Sequence, residues 1–399
     1  MEKKLGRDEA EKCRSVSGGT MRSMSIPVTP YTIAVPDAVL DDLRARLRAT
    51  RWPDPAPGPA WSQGTDLAYL RRLVDYWAEE FDWREQERSL NSYPHFIADI
   101  DGTRIHFVHH RTGKPPLLLT HGWPSTFAEM LPLVDRLSED FDLVVPSLPG
   151  YTFSSRPDSA GVNTAYVARL WHRLMRELSY ERFGAVGGDF GAAVSTHLAL
   201  LEPDRLSGIL LTTPELRPAI GPTSPPLTPA ERAYLARVGQ WDATERGYSA
   251  IQSTRPQTLG YGLADSPSGL AAWLVEKWRS WSDSGGDLDA RFGRDVLLTT
   301  ITLYWVTNSI TSSTRDYFDA RWHGAPLRPD DFVTTPTAMA VFANEFVSEG
   351  EPPRQWYERL YNIQRWTVLP HGGHFAAREE PDALAAEIAA HFGGGGGGG

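Results

Sequence analysis

The chain has 399 residues, 41% hydrophobic and 23% charged, with 14 Trp, 14 Tyr and 15 Phe, enough for one large globular domain with an insertion or for two domains. A formal net charge of −10 and the lack of any basic patch interleaved with aromatics argue against nucleic acid and against an anionic membrane surface as partners. The single cysteine, Cys13, excludes an intramolecular disulfide framework and a cysteine-based zinc cluster.

Residues 1–20, MEKKLGRDEAEKCRSVSGGT, are charged and lack the apolar stretch of a signal peptide. They are expected to be a disordered tail, with the functional chain beginning at Met21 or Met24. No run of about 18 apolar residues occurs, so no membrane span is expected and a cytoplasmic location fits best. Residues 21–93 read as a helical extension. Pro36 suits the first turn of a helix over 36–50, whose Val39, Leu40, Leu43 and Leu47 share a face. A second helix carries Leu67, Leu70, Leu73, Val74 and Trp77.

From Pro94 the pattern changes. HFIADI and TRIHFVHH flank Asp101-Gly102, a hairpin signal. Buried strands PPLLLT, DLVVPSL, FGAVGG and LSGILLTT then alternate with helices near 126–138, 165–178 and 192–201. Such alternation predicts an α/β fold with a mainly parallel sheet over 94–213. Residues 214–333 are Trp-rich, helical and without clear strands, and read as a lid inserted over the sheet's C-terminal edge, where ligands bind in open α/β sheets. Core strands return over 334–392 as TPTAMAVFAN and RWTVLP, with helices at 353–361 and 383–392. The glycine tail at 393–399 carries no fold information.

Three motifs carry chemistry. VGGDFGAA, Val186 to Ala193, has the glycines of a sharp strand-to-helix elbow that exposes its central side chain, here Asp189. The competing reading is an aspartate that only caps the following helix. HGWPST, His121 to Thr126, directly follows a buried strand. A loop there supplies one oxyanion-hole N–H and the residue after the nucleophile supplies the other, which points to Trp123 and Phe190. HGGHF, His371 to Phe375, lies late in the chain after the last strand, where a catalytic histidine belongs; His374 is the choice and His371 the alternative. Glu345 follows the strand TAMAVFA and suits the acid that orients the imidazole, with Glu349 and Glu351 as fallbacks.

With these residues in hand, the chain from about 25 to 392 resembles the microsomal-type epoxide hydrolases of the α/β-hydrolase superfamily. The resemblance rests on RWPD at 51–54, HGWP, GGDFG, GGHFAAREEP at 372–381, and the lid segments at 247–278 and 303–313. It implies an α/β-hydrolase fold with a helical lid and an N-terminal helical extension. It also implies that Asp189 is the nucleophile, His374 the base and Glu345 its partner, and that Tyr248 and Tyr317, or Tyr304 in place of the latter, hold the epoxide oxygen. The substrate it implies is a small epoxide, apolar or aromatic, with lid residues Trp273, Trp278, Trp281 and Trp305 either lining the pocket or forming lid core. No metal or organic cofactor is required, and a homodimer is expected. The animal enzymes carry a membrane anchor, so a soluble bacterial-type member is expected here. Haloalkane dehalogenases share the elbow aspartate, but typically follow it with a halide-binding Trp where this chain has Phe190. A non-catalytic binding protein of the same fold is the other alternative, and such proteins usually lose part of the triad.

Overall fold

Nine strands form one sheet in the order β1-β2-β3-β5-β4-β6-β7-β8-β9. They are β1 Val28–Tyr31, β2 His95–Ile100, β3 Thr103–His110, β4 Pro116–Thr120, β5 Asp142–Pro146, β6 Phe183–Asp189, β7 Leu206–Pro214, β8 Val333–Phe342 and β9 Tyr361–Leu369. The computed structural model describes residues 27–155, 158–214, 216–324, 326–345 and 352–393. The expected tail at 1–20 with Cys13, the alternative starts Met21 and Met24, the fallback acids Glu349 and Glu351, and glycines 394–399 lie outside the described residues.

The first three strands and β5 pair antiparallel, and every pairing from β5 through β4 to β9 is parallel. The hairpin between β2 and β3 turns on Asp101 and Gly102, both at positive φ (52° and 81°), as a primed turn requires. Leu117, Leu118, Leu119, Val144, Val145, Ile209, Leu210 and Leu211 in the central strands are at most 1% exposed. Strands covered by helices on both faces must be apolar throughout, which is why these segments read as continuous hydrophobic runs. Each such side chain contributes roughly 1.5–3 kcal/mol on burial.

The chain leaves β4 towards β5 on one side, then crosses to β6 on the other, so the strand order reverses at β4. Such a reversal opens a crevice at the carboxyl ends of the two strands. β4 and β6 run in register from Leu117↔Gly184 to Thr120↔Gly187, so the loop after Thr120 and the elbow at Asp189 emerge side by side.

The extension is not purely helical. Besides helices Asp37–Arg48, Leu67–Glu79 and Trp83–Leu90 it contributes β1, an edge strand with Val28 opposite Ala98. Its sequence VTPY hides the strand because Pro30 is tolerated only on an edge. Pro36 sits at the N-cap of its helix, one position before the first turn. Between β7 and β8 seven helices run from Pro229 to His323, with no strand among the described residues. The expected helix over 353–361 shrinks to Arg354–Tyr357, because Tyr361 already begins β9, opposite Val333. Among the described residues no helix is long and apolar enough to cross a membrane.

The extension is tied to the lid. Trp77 Nε1 donates to Thr302 Oγ1 at 3.0 Å, Thr65 Oγ1 to the Ala272 carbonyl at 2.6 Å, and the Tyr69 hydroxyl to Asp289 at 3.0 Å.

Candidate active site

β6 ends on Asp189 and helix Phe190–Leu201 starts at the next residue. Asp189 has φ 53° and ψ −129°, a conformation that costs a non-glycine residue about 1–3 kcal/mol and that clusters at functional sites. The turn is possible because its neighbours lack side chains. A Cβ on Gly191 would lie 2.0 Å from the Thr120 carbonyl oxygen, and one on Gly122 would lie 2.4 Å from Asp189 Oδ1.

Asp189 occupies the N-cap position, but its side chain makes no capping bond. Its Oδ1 instead accepts the Trp123 backbone N–H at 2.9 Å across the crevice. The capping alternative is thereby corrected: the carboxylate faces the crevice. The Trp123–Pro124 peptide is cis. Phe190 is the first residue of its helix, so its N–H has no intrahelical acceptor and lies at the positive end of the helix dipole.

His374 stands in the loop after β9. Its N–H donates to the Trp281 carbonyl at 2.8 Å, and the Trp281 ring meets the imidazole edge-on at 5.0 Å. Nδ1 is 2.9 Å from Glu345 Oε1, and Nε2 is 3.7 Å from Asp189 Oδ2. Burial opposes the imidazolium, but the Glu345 hydrogen bond and charge, with the charges of Asp189 and Glu129, outweigh it and raise the His374 pKa to about 9. Glu345 also accepts from Thr213 Oγ1 at 2.5 Å. The alternative His371 is exposed on the surface.

The lid brings down two tyrosines. Tyr248, in helix Gly247–Gln252, stacks on Trp123 with ring centroids 5.6 Å apart and planes within 5°. Tyr317, in helix Ile310–His323, stands edge-on to Tyr248 at 5.8 Å and to Phe190 at 5.0 Å. Both line a cavity of about 400 Å³ together with Asp189, Phe190 and Glu345. Tyr304 is fully buried and donates to the Ser125 carbonyl at 2.7 Å, outside that lining.

Trp273, Trp278, Trp281 and Trp305 do not line this cavity. Trp278 stacks on Phe375 at 4.1 Å, Trp281 supports His374, Trp273 donates to Gln252, and Trp305 lies under the Arg46 guanidinium. They are lid core. Besides Phe190, Tyr248 and Tyr317, the aromatic lining comes from Tyr234, Trp241, Phe342, Tyr357 and Trp366, and Arg217, Arg246 and Arg321 also border it.

Sequence reasoning missed Thr213 and the Trp281 carbonyl. Thr213 lay inside an apolar strand pattern, LSGILLTT, whose end faces the site; a hydroxyl at that end was the only signal. It missed Glu129 as well, 8% exposed near His374, although an acidic residue inside the apolar run FAEMLPLV was a legible anomaly. Among the described residues no three His, Cys, Asp or Glu side chains converge to hold a metal ion.

Comparison with known proteins gives a consistent family. Residues 28–130 match the model "Epoxide hydrolase N terminus" and residues 115–251 the model "alpha/beta hydrolase fold". A Stigmatella aurantiaca protein named "Putative epoxide hydrolase" is 41% identical over 378 residues, covering 90% of this chain and 84% of that one. Epoxide hydrolase 1 of Sus scrofa is 33% identical over 411 residues, covering 92% and 88%. Among solved structures, the Aspergillus niger epoxide hydrolase superposes with a TM-score of 0.80 at 31% identity, over 92% of this chain and 96% of its own.

Proposed function

This chain belongs to the epoxide hydrolase family and adds water to an epoxide to give a vicinal diol, and from that premise we propose that Asp189 does so through a covalent ester. The observation that carries this reading is the double engagement of one carboxylate. Asp189 Oδ1 is held by the Trp123 N–H at 2.9 Å while Oδ2 faces His374 Nε2 at 3.7 Å, and the same residue lines the cavity that holds Tyr248 and Tyr317.

The chemistry demands a carboxylate. An epoxide has an electrophilic carbon but no carbonyl. A serine would form an ether that activated water cannot readily cleave, whereas a carboxylate forms an ester with a carbonyl that water can attack. Asp189 forms the new C–O bond as the ring C–O bond breaks in line. The Tyr248 and Tyr317 hydroxyls donate to the oxygen as it gains charge, so their effect is greatest in the transition state. His374, oriented by Glu345, then takes a proton from water, and the hydroxide adds to the Asp189 ester carbonyl. The resulting oxyanion is held by the Trp123 and Phe190 amides; losing one such donor costs about 10²–10³ in rate. Collapse expels the alkyl oxygen, which takes the proton back from His374. The water's other proton, left on the Asp189 carboxyl, passes to the ring-opened oxygen, so the diol leaves with both hydroxyls and Asp189 is again a carboxylate.

The substrate we propose carries an apolar or aromatic group, seated against Phe190, Tyr234, Trp241 and Trp366. We also propose a cytoplasmic location and a homodimer, to be tested by cell fractionation and light scattering. Dehalogenation and a non-catalytic role are not favoured by these relatives. The mechanism is tested by a single turnover in ¹⁸O water: label is expected in Asp189 and not in the first diol. Label going directly into that diol would rule out the ester.

A further inference from the structure

Asp189 stands between two cavities. On one side is the cavity of about 400 Å³ that Tyr248 and Tyr317 line. On the other is a small one of about 20 Å³, which His374 lines and the two tyrosines do not. A water needs roughly 10–15 Å³ of such volume and two to four polar partners, so the small cavity has room for one. Its partners are at hand: the His374 imidazole, the Asp189 carboxyl, the Ser125 hydroxyl and the Glu129 carboxyl all border it. Ser125 Oγ and Trp123 Nε1 are buried and have no well-formed hydrogen bond within the protein, the mark of polar atoms that a small ligand satisfies.

Glu129 is the residue the mechanism above leaves unused. It is 8% exposed, among Phe127, Met130 and Leu133, where a carboxyl is costly without partners. Burial pushes its pKa up, against the pull of the nearby Ser125 hydroxyl and of the His374 and Arg378 cations.

We propose that the small cavity is the site of the hydrolytic water, and that Glu129 is a positioning residue that accepts one of the water's O–H groups while His374 takes the proton of the other. The inference rests on Asp189 forming an ester. The two steps then use opposite faces of one carboxylate. The epoxide approaches from the tyrosine side, and water reaches the ester carbonyl from the His374 side without leaving through the substrate. The proton passes from water to His374 Nε2, the hydroxide adds to the ester carbon, and the bond from that carbon to the alkyl oxygen breaks as that oxygen takes the proton back from His374. Glu129 ends the cycle unchanged.

Rapid-quench kinetics with styrene oxide, with the alkyl-enzyme followed by intact mass, tests this on wild type, Glu129→Leu and Glu129→Gln. Glu129→Leu is expected to form the ester within about twofold of the wild-type rate but to hydrolyse it about ten- to a hundredfold more slowly. The ester then accumulates and KM falls together with kcat. Glu129→Gln keeps an acceptor oxygen and is expected to restore most of the hydrolysis rate. Wild-type hydrolysis in Glu129→Leu overturns the proposal, as does an equal loss of both steps in the two variants, which is what a packing role would give. Wild-type turnover without label entering Asp189 removes the ester itself, and this inference with it.

Discussion

The charge on Asp189 adds to that of Glu345 in raising the basicity of His374, so esterification of Asp189 in the proposed first step shifts the imidazole towards the neutral form that the second step uses. In the free enzyme the imidazole pKa is about 9, held there against burial by Glu345 and by the charges of Asp189 and Glu129. At neutral pH His374 is therefore a cation, 3.7 Å from the Asp189 carboxylate. Esterification makes Asp189 neutral and removes one of those charges. Two unit charges near 4 Å interact by about 4 kcal/mol at an effective dielectric of about 20, and 1.36 kcal/mol corresponds to one pH unit. Even a third of that attraction lowers the imidazole pKa by about one unit. Asp189→Asn imitates the neutral ester in shape and charge. Titrating the His374 ring by ¹⁵N NMR should give about 9 in the wild type and a value at least about one unit lower in Asp189→Asn. The sign carries over to stability. A histidine whose folded pKa is raised contributes stability that is fully present below about 6.5 and lost as pH rises through about 9. For this shift the contribution is up to about 3 kcal/mol. The wild-type denaturant midpoint should therefore fall between those pH values more steeply than that of Asp189→Asn. Equal His374 titrations in the two proteins would refute the coupling.

The tyrosine pair gives a second expectation. Tyr248→Phe and Tyr317→Phe should each slow ester formation about a hundredfold, whereas Tyr304→Phe, whose hydroxyl bonds the Ser125 carbonyl, should leave that step within severalfold; pre-steady-state alkylation rates decide, and a Tyr304 variant slowed like the others would reverse the assignment. Gly191→Ala drives a Cβ to within 2.0 Å of the Thr120 carbonyl oxygen and should lose at least about 3 kcal/mol of stability, or fail to fold. A wild-type urea midpoint would show that the elbow and β4 are not in close approach.

The candidate site was legible where chemistry leaves a local mark. Asp189 among glycines, Trp123 after a buried strand, and His374 after the last strand each combine an unusual residue with a backbone constraint. The loop order then limits their roles. The parallel core was equally legible, because strands buried on both faces give apolar runs such as PLLLT and DLVVP. What stayed hidden depends on distant contacts. β1 is four residues long and contains Pro30, so only its pairing to β2 identifies it as a strand. The lid tryptophans carry no local sign of whether they face ligand or core, and only packing shows Trp278 against Phe375 rather than in the cavity. Thr213 supports Glu345 from 132 positions away in the chain, a relation no periodicity encodes.

The lid is more than a cover. It supplies Tyr248 and Tyr317, and through the Trp281 carbonyl it holds the backbone of His374, the proposed base of the second step. Lifting helix Pro267–Trp281 would take that support from His374 as well as uncover the cavity. The same helix is fastened from outside, since Thr65 of the extension bonds the Ala272 carbonyl, and Trp77 holds the neighbouring helix at Thr302. A fold that ties the lid to the core on one side and to the extension on the other keeps Tyr248, Tyr317, Asp189 and His374 in one frame, which is what the proposed two-step reaction at a single carboxylate requires.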